Sequence, residues 1–276
     1  MVFLRRTLLL RYLLLAAMLA LLLFVSSFWL REFKRPCWLR LYQEAPPLIK
    51  ECPGQSFQAW RLLLYLKSCL SKNDDVLLES YLLSWDQLIN FMESLGSMVS
   101  FFSQKVKEKV VLIRELSLKH KAEAHGKPDS GLQTPAYHSL RSMVEAELKA
   151  GMVDFSYRTD SGCRTLLRLH RSLLWLKLML EGLADGPDAR GRYKTPGELS
   201  RDAYQVALAP HHPWVLRQAA ELVFLALPNR KYFLQLVCVQ EQREATPVLR
   251  IIIHALTLVH TRTQRILQEH GMLELP

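Results

Sequence analysis

The stretch SGCRTLLRLHRSLLWLKLML (161–180) decides the fold class. Leu166, Leu169, Leu173, Leu176 and Leu180 recur at three- and four-residue spacing, so at 100° per residue they share one stripe of an α-helix. Arg164, Arg168, Arg171 and Trp175 fall on a second stripe roughly opposite. A strand alternates with period two and does not produce this pattern. The leucine stripe is expected to be core. The other stripe sets three guanidinium groups on adjacent turns, where like charges repel by about a few tenths of a kcal/mol per pair. A solvated basic face and an anion-binding face both fit that arrangement.

Helical spacing continues on either side of this segment. Apolar periodicity predicts helices over about 56–70, 76–93, 97–119, 135–151, 162–183, 196–208, 213–226, 230–238 and 247–269, and β-alternating runs are few. The breaks hold Lys72-Asn73-Asp74, Gly126-Lys127-Pro128-Asp129 and Gly186-Pro187, with Pro228 and Pro247 later. Thr195-Pro196-Gly197-Glu198 reads as a helix start, with threonine as N-cap, proline at the first helical position and glutamate placed to close a capping box. The expected fold class is all-α.

A second basic face lies in the third predicted helix. Lys105 and Lys109 are i, i+4 and project from one side, whereas Lys107 points to roughly the opposite side. A phosphate lodged between the two helices would accept bidentate hydrogen bonds from an arginine and feel the point charge of a lysine. Sequence alone does not say whether the two faces meet.

The chain has 276 residues, 36 Lys+Arg against 26 Asp+Glu and a net charge of +10. Half of it is apolar, which excludes a disordered chain, and five cysteines are too few for a disulfide scaffold. Arg5, Arg6, Arg11, Arg31, Lys34, Arg35 and Arg40 face only Glu32 within the first forty residues, so most of the excess charge sits there. The rest is nearly balanced and has no basic run with interleaved aromatics, so nucleic acid is not an expected partner.

That basic collar surrounds the uncharged stretch Tyr12–Leu30, about 28 Å long as a helix and so about the thickness of a hydrocarbon core. It reads as a signal-anchor, with a cleaved signal peptide as the competing reading because Val25-Ser26-Ser27 offers small residues. The longer apolar run and Phe28-Trp29-Leu30 directly after that site favour the anchor. The domain layout expected is a hydrophobic segment over 1–30, a proline-containing linker over 31–55 and a helical body over 56–276. Cys37, Cys52, Cys69, Cys163 and Cys238 are odd in number, include no CxxC pair and occur without an N-x-S/T acceptor, which favours a reducing compartment. Cys37 and Cys52 could still pair if the body is lumenal.

No HExxH, GxGxxG, Walker or GxSxG sequence occurs, and no metal-ligand spacing. An enzyme is therefore not expected, nor a cofactor or metal. His211 and His212 are adjacent and do not share a helical face; His212 precedes Pro213, which biases it to an extended backbone just before a helix.

Several of these segments together resemble a known family. Val76-Leu77-Leu78 with Tyr81, Trp85 and Leu88, SLGSMVSFFSQKVKEKV (94–110), SGCRTLLRLHRSLLWL (161–176), HPWVLR (212–217) and the ending LELP are similar to the glycolipid transfer protein fold in its ceramide-1-phosphate transfer branch. The resemblance implies a two-layer helical sandwich, here preceded by an N-terminal hydrophobic helix, that opens an apolar pocket for two hydrocarbon chains. It implies that Lys109, Arg164 and Arg168 meet the lipid phosphate and that His212 hydrogen-bonds the ceramide amide. The family has an aspartate where this chain has Lys105, which removes an acceptor for the amide N–H and adds positive charge beside the phosphate.

The implied function is non-enzymatic binding and intermembrane transfer of a phosphorylated sphingolipid such as ceramide 1-phosphate, with membranes as partners. The alternative is a non-transferring lipid sensor or protein-interaction module on the same fold. The implied location is a membrane, with the body on the cytosolic side if the anchor is retained, or a secretory lumen or the exterior if the leader is cleaved.

Overall fold

Burial of the leucine stripe organises the whole body. In the computed structural model, which describes residues 49–125 and 135–276, Leu166, Leu169, Leu173, Leu176 and Leu180 are all buried on the helix Gly162–Ala184. Numbered along the chain, the helices are α1 (Ala59–Ser68), α2 (Leu78–Glu93), α3 (Ser97–His125), α4 (Leu140–Lys149), α5 (Gly162–Ala184), α6 (Pro196–Ala207), α7 (Trp214–Leu225), α8 (Arg230–Leu236) and α9 (Gln242–Glu269). Short 3₁₀ turns follow over Ala209–His211 and Met272–Glu274. Among the described residues there is no strand, only the isolated bridges Leu70–Val76 and Leu77–Ser139.

α5 is central because it is apolar along one stripe and long enough to meet several partners. It packs against α9 and α6, and also touches α3 and α4, while α1 lies between α2 and α9. Tyr81 and Trp85 of α2 and Ile113 of α3 are fully buried. Continuous apolar burial of this kind supplies most of the stability of short helices that would be marginal alone.

Local sequence sets the helix starts. Thr195 accepts from the Glu198 N–H at 3.2 Å, and the Glu198 carboxylate accepts from the Thr195 N–H at 2.7 Å, the capping box expected for α6. Three boundaries differ from expectation. α4 begins at Leu140 rather than near 135, because Ser139 and Ser142 form their own capping box. α3 runs to His125 instead of ending near 119.

The last helix starts at Gln242 and runs through Pro247, which sequence reading treats as a break. That proline removes a single bond, to the carbonyl of Arg243 in an exposed first turn, so the helix survives it.

The cysteine expectation is corrected. Cys52 is bonded to Cys238, with Cα atoms 5.7 Å apart, whereas Cys69 and Cys163 are free and buried. Sequence separation of 186 residues hides this pairing from any spacing argument. A disulfide also runs against the expected reducing compartment. Residues 49–55, assigned to the linker, pack onto the body: Cys52 is wholly buried and the Gln55 side chain donates to the Gln235 carbonyl at 3.1 Å. Among the described residues no helix is long and apolar enough to cross a membrane; Tyr12–Leu30, the expected anchor, and Cys37 lie outside the described residues.

Candidate functional site

A buried carboxylate fixes the helix that carries the arginines. Glu147 of α4 is fully buried, and its Oε1 accepts from the Tyr137 hydroxyl and from the Gly162 N–H, each at 2.5 Å. Its Oε2 accepts from the Cys163 N–H at 2.9 Å. Together with Ser161, whose hydroxyl accepts from the Arg164 N–H at 3.1 Å, it satisfies the orphan donors at the start of α5 and complements the positive end of the helix dipole. Gly162 is needed there, because a Cβ at that position would lie 2.7 Å from Met143 Sδ and 2.8 Å from Glu147 Oε1.

Arg164 projects from this anchored turn and is held on one edge. Its Nε donates to the main-chain oxygen of Pro276 and its Nη1 to the Thr159 carbonyl, both at 2.9 Å. A guanidinium has five N–H donors, so the remaining ones stay unfilled by these contacts. One turn on, Arg168 is half-buried, and its side chain makes no hydrogen bond or ion pair among the described residues. Arg171 donates to the Leu273 carbonyl at 3.3 Å.

Lys109 faces the same place from α3. It is half-buried, and its Nζ donates to the Lys105 carbonyl at 2.8 Å. Burial lowers its pKa, and the Arg168 charge lowers it further. Arg168 is lowered first by burial and then by Arg164, Arg158 and Arg171. His212 is lowered by burial, then by His211, Lys109, Arg217 and Arg168. These mutual repulsions show that Lys109, Arg164, Arg168 and His212 share one electrostatic neighbourhood. Among the described residues no Asp or Glu side chain lies within ion-pair distance of the lysine or of the three arginines of this helix face. Asp160 offsets part of this repulsion at Arg164 and Arg168, and Glu108 part of it at Lys109; an anion placed among the four would relieve more of it.

His212 has the extended backbone expected before Pro213, with φ −108° and ψ 137°. Its Nδ1 lies 2.8 Å from the hydroxyl of Tyr204, which is buried on α6. A neutral ring whose Nδ1 accepts from that hydroxyl presents Nε2–H as a donor. Lys105 is the sequence candidate that points elsewhere: it is exposed, and its Nζ pairs with Glu108 at 3.0 Å. Trp175, on the arginine stripe, instead donates from Nε1 to the Ser200 carbonyl at 3.1 Å and docks α6.

An apolar cavity within the core is nearly closed. Phe57, Leu62, Leu88, Phe91, Leu176, Leu180, Phe233, Val237 and Ile252 are among the side chains around a cavity of about 20 Å³. A surface depression of about 430 Å³ lies between the C-terminal half of α5 and α6; like the small cavity, it is lined by none of Lys109, Arg164, Arg168 or His212. The larger depression is open and of mixed charge, whereas the side chains around the smaller cavity are all apolar.

Sequence reading did not find Glu147, Tyr204 or the main-chain oxygens of Leu273 and Pro276. Glu147 looks like any helical glutamate in sequence, and backbone acceptors carry no sequence signal at all. Tyr204 sits eight residues before His212, a separation that only the turn over Ala209–His211 makes close.

The family profile described as Glycolipid transfer protein (GLTP) matches residues 76–239. The ceramide-1-phosphate transfer protein of Bos taurus is 38% identical over 219 residues, covering 78% of this chain and 94% of its own length. Crystal structures of the human ceramide-1-phosphate transfer protein agree in shape. The complex with 12:0 ceramide 1-phosphate has a TM-score of 0.67 at 37% identity, covering 78% of this chain and 97% of that one. The complex with 2:0 ceramide 1-phosphate has a TM-score of 0.68 at 36% identity, over the same shares. The helical body described above therefore belongs to the glycolipid transfer protein family.

Proposed function

We propose that this chain binds a lipid with a phosphate monoester head and two hydrocarbon chains, of the ceramide 1-phosphate type, and transfers it between membranes without covalent chemistry. The observation that carries this reading is a four-residue basic cluster, Lys109, Arg164, Arg168 and His212, with no Asp or Glu partner among the described residues, together with an apolar cavity lined in part by α5, the helix that bears both arginines. Arg168 and Lys109 are the donors most available to the phosphate; Arg164 adds its unfilled N–H groups, and His212 offers a donor to the lipid backbone. Each hydrocarbon CH₂ removed from a bilayer needs about 0.8 kcal/mol of replacement burial, so the helices have to part as the chains enter. Trp214 and Val215, 71% and 70% exposed immediately after His212 and Pro213, give the site an apolar lip suited to contact with a bilayer.

Arg168→Ala tests the reading. Transfer of ceramide 1-phosphate between vesicles is expected to fall by about tenfold or more, as for loss of a charge-assisted hydrogen bond of about 1.5–3 kcal/mol. Unchanged transfer by the variant would defeat it.

A second reading is binding without release. Lys105 favours it, since a lysine paired with Glu108 offers no acceptor to a lipid amide. Vesicle binding with no transfer is its signature. For the chain as a whole we propose that Tyr12–Leu30 acts as a signal-anchor on a tether that holds the lipid-binding domain at a membrane surface. The Cys52–Cys238 bond favours the oxidising side of that membrane over the cytosolic side that the charge distribution suggests.

A further inference from the structure

We propose that the Cys52–Cys238 pair determines how far the apolar cavity opens, and with it the length of hydrocarbon chain the protein accepts. The proposal rests on the lipid-binding reading above. Its physical basis is where the two sulfurs sit. Cys52 lies five residues before Phe57, and Cys238 directly follows Val237; Phe57 and Val237 both line the cavity. The bond thus joins two walls of the chamber that has to receive the chains.

The cavity of about 20 Å³ is little larger than the roughly 10–15 Å³ that one water requires. A hydrocarbon chain enters only if a wall moves. α8 is the wall best placed to move, because it is short and fixed mainly at its beginning. Arg230 donates through Nη2 to the Leu183 carbonyl at 2.5 Å and to the Asp185 carbonyl at 3.1 Å, and the Tyr232 hydroxyl donates to the Ser94 carbonyl at 2.7 Å. The far end of α8, Leu236 to Cys238, has no comparable anchor to the segment before α1. Apart from the disulfide, the hydrogen bond between those two walls among the described residues is Gln55 Nε2 to the Gln235 carbonyl at 3.1 Å.

The segment bearing Phe57 is itself fixed. The Gln58 N–H donates to Gln87 of α2 at 3.1 Å, and the Gln58 side chain closes the loop back onto Cys52 by bonds of 2.7 and 2.9 Å. Phe57 packs edge-on against Phe91 at 5.3 Å, and Phe91 against Phe233 at 5.9 Å. With the disulfide in place, the far end of α8 is held to this fixed wall. Without it, α8 swings about its Arg230 end and the aromatic contacts part.

The interconversion is an ordinary exchange. Oxidation joins the two sulfurs and passes two electrons and two protons to a small disulfide of the glutathione type, which leaves as two thiols; a dithiol reverses it. Cys52 is wholly buried, whereas Cys238 is half-exposed, so attack falls on the Cys238 sulfur.

The full chain, oxidised with glutathione disulfide or reduced with dithiothreitol, is to be given 12:0 and 2:0 ceramide 1-phosphate, lipids with which the human relative has been crystallised. Reduction is expected to raise the ratio of 12:0 to 2:0 binding by about tenfold, equivalent to about 1.4 kcal/mol or roughly two buried methylenes. Cys238→Ala and Cys52→Ala should show the raised ratio without reductant and no further response to it. Equal ratios in the two redox forms, or a peptide map of the oxidised protein without the Cys52–Cys238 link, would overturn the proposal. Binding of 2:0 lipid that stays sensitive to Arg168→Ala keeps the lipid reading intact in that event. If neither lipid binds in either form, the lipid reading has failed and this inference falls with it.

Discussion

The Nε of Arg164 donates to the main-chain oxygen of Pro276 at 2.9 Å, a contact across 112 residues that ties an arginine of the basic face to the far end of the sequence. Arg171 makes a similar bond to Leu273 at 3.3 Å, so the last turn of the chain holds the arginines on either side of Arg168 and leaves Arg168 itself unheld. Two arginines are oriented by main-chain oxygens, and the side chain of Arg168 is left without such a partner among the described residues.

Deleting Pro276 should therefore release one edge of Arg164 without emptying the core, since Met272 and Leu275 are the buried residues of that turn. A hydrogen bond to a charged group is worth about 1.5–3 kcal/mol, so affinity for 2:0 ceramide 1-phosphate by calorimetry is expected to drop by about tenfold. An unchanged affinity would show that Arg164 needs no such support.

Glu147→Gln should destabilise the fold by about 2–4 kcal/mol, read from the urea midpoint. The amide that replaces one carboxylate oxygen turns a donor toward another donor, whichever way it is flipped, because both oxygens now accept backbone N–H groups of α5. Asp at the same position retains the charge but falls one methylene short, and is expected to recover part of the loss at most.

Acid should weaken the protein through a histidine pair at the contact of α5 with α9. His170 and His260 stack with ring centroids 4.0 Å apart, and burial pushes their pKa values down to about 3 and about 4. Unfolded histidine titrates near 6.5, so below that pH the unfolded chain binds more protons and stability falls as pH falls. The loss begins near pH 6.5 and continues to about pH 3–4; for His170, 2% exposed, it amounts to roughly 2 kcal/mol at pH 5. His170→Leu should flatten urea stability over that range. A variant as acid-sensitive as the parent would place the effect elsewhere.

Lys105→Asp bears on lipid selectivity. The substitution removes the ion pair with Glu108 and puts an acceptor one turn before Lys109, where a lipid amide N–H could donate to it. The ratio of ceramide 1-phosphate to phosphatidic acid binding, measured on mixed vesicles, is expected to rise severalfold. If the ratio stays flat, position 105 plays no part in reading the lipid backbone.

Much of this molecule is written in local sequence. The leucine stripe of α5, the capping box at Thr195 and the extended backbone of His212 before Pro213 all follow from contacts within a few residues, where geometry is fixed by helix period and backbone sterics. The arginine stripe was equally legible, as was the Lys105–Lys109 face. What a stripe does was not, because whether a basic face meets solvent or another basic face depends on how α3 packs against α5. Pro247 misled for a related reason: a proline's local preference against helix is a few kcal/mol, and burial of Val248, Leu249 and Ile252 outweighs it.

Sequence by itself determined an all-α body and the residue types available for an anion. Tertiary structure alone decided that Lys109 joins Arg164 and Arg168 while Lys105 turns away to Glu108, that Leu273 and Pro276 hold two arginines, and that Cys52 finds Cys238. The reason is the range of the forces involved. Helix periodicity and capping act within about one turn and are encoded in neighbouring residues, whereas charge clustering, backbone acceptance and disulfide pairing join residues brought close by packing of the core.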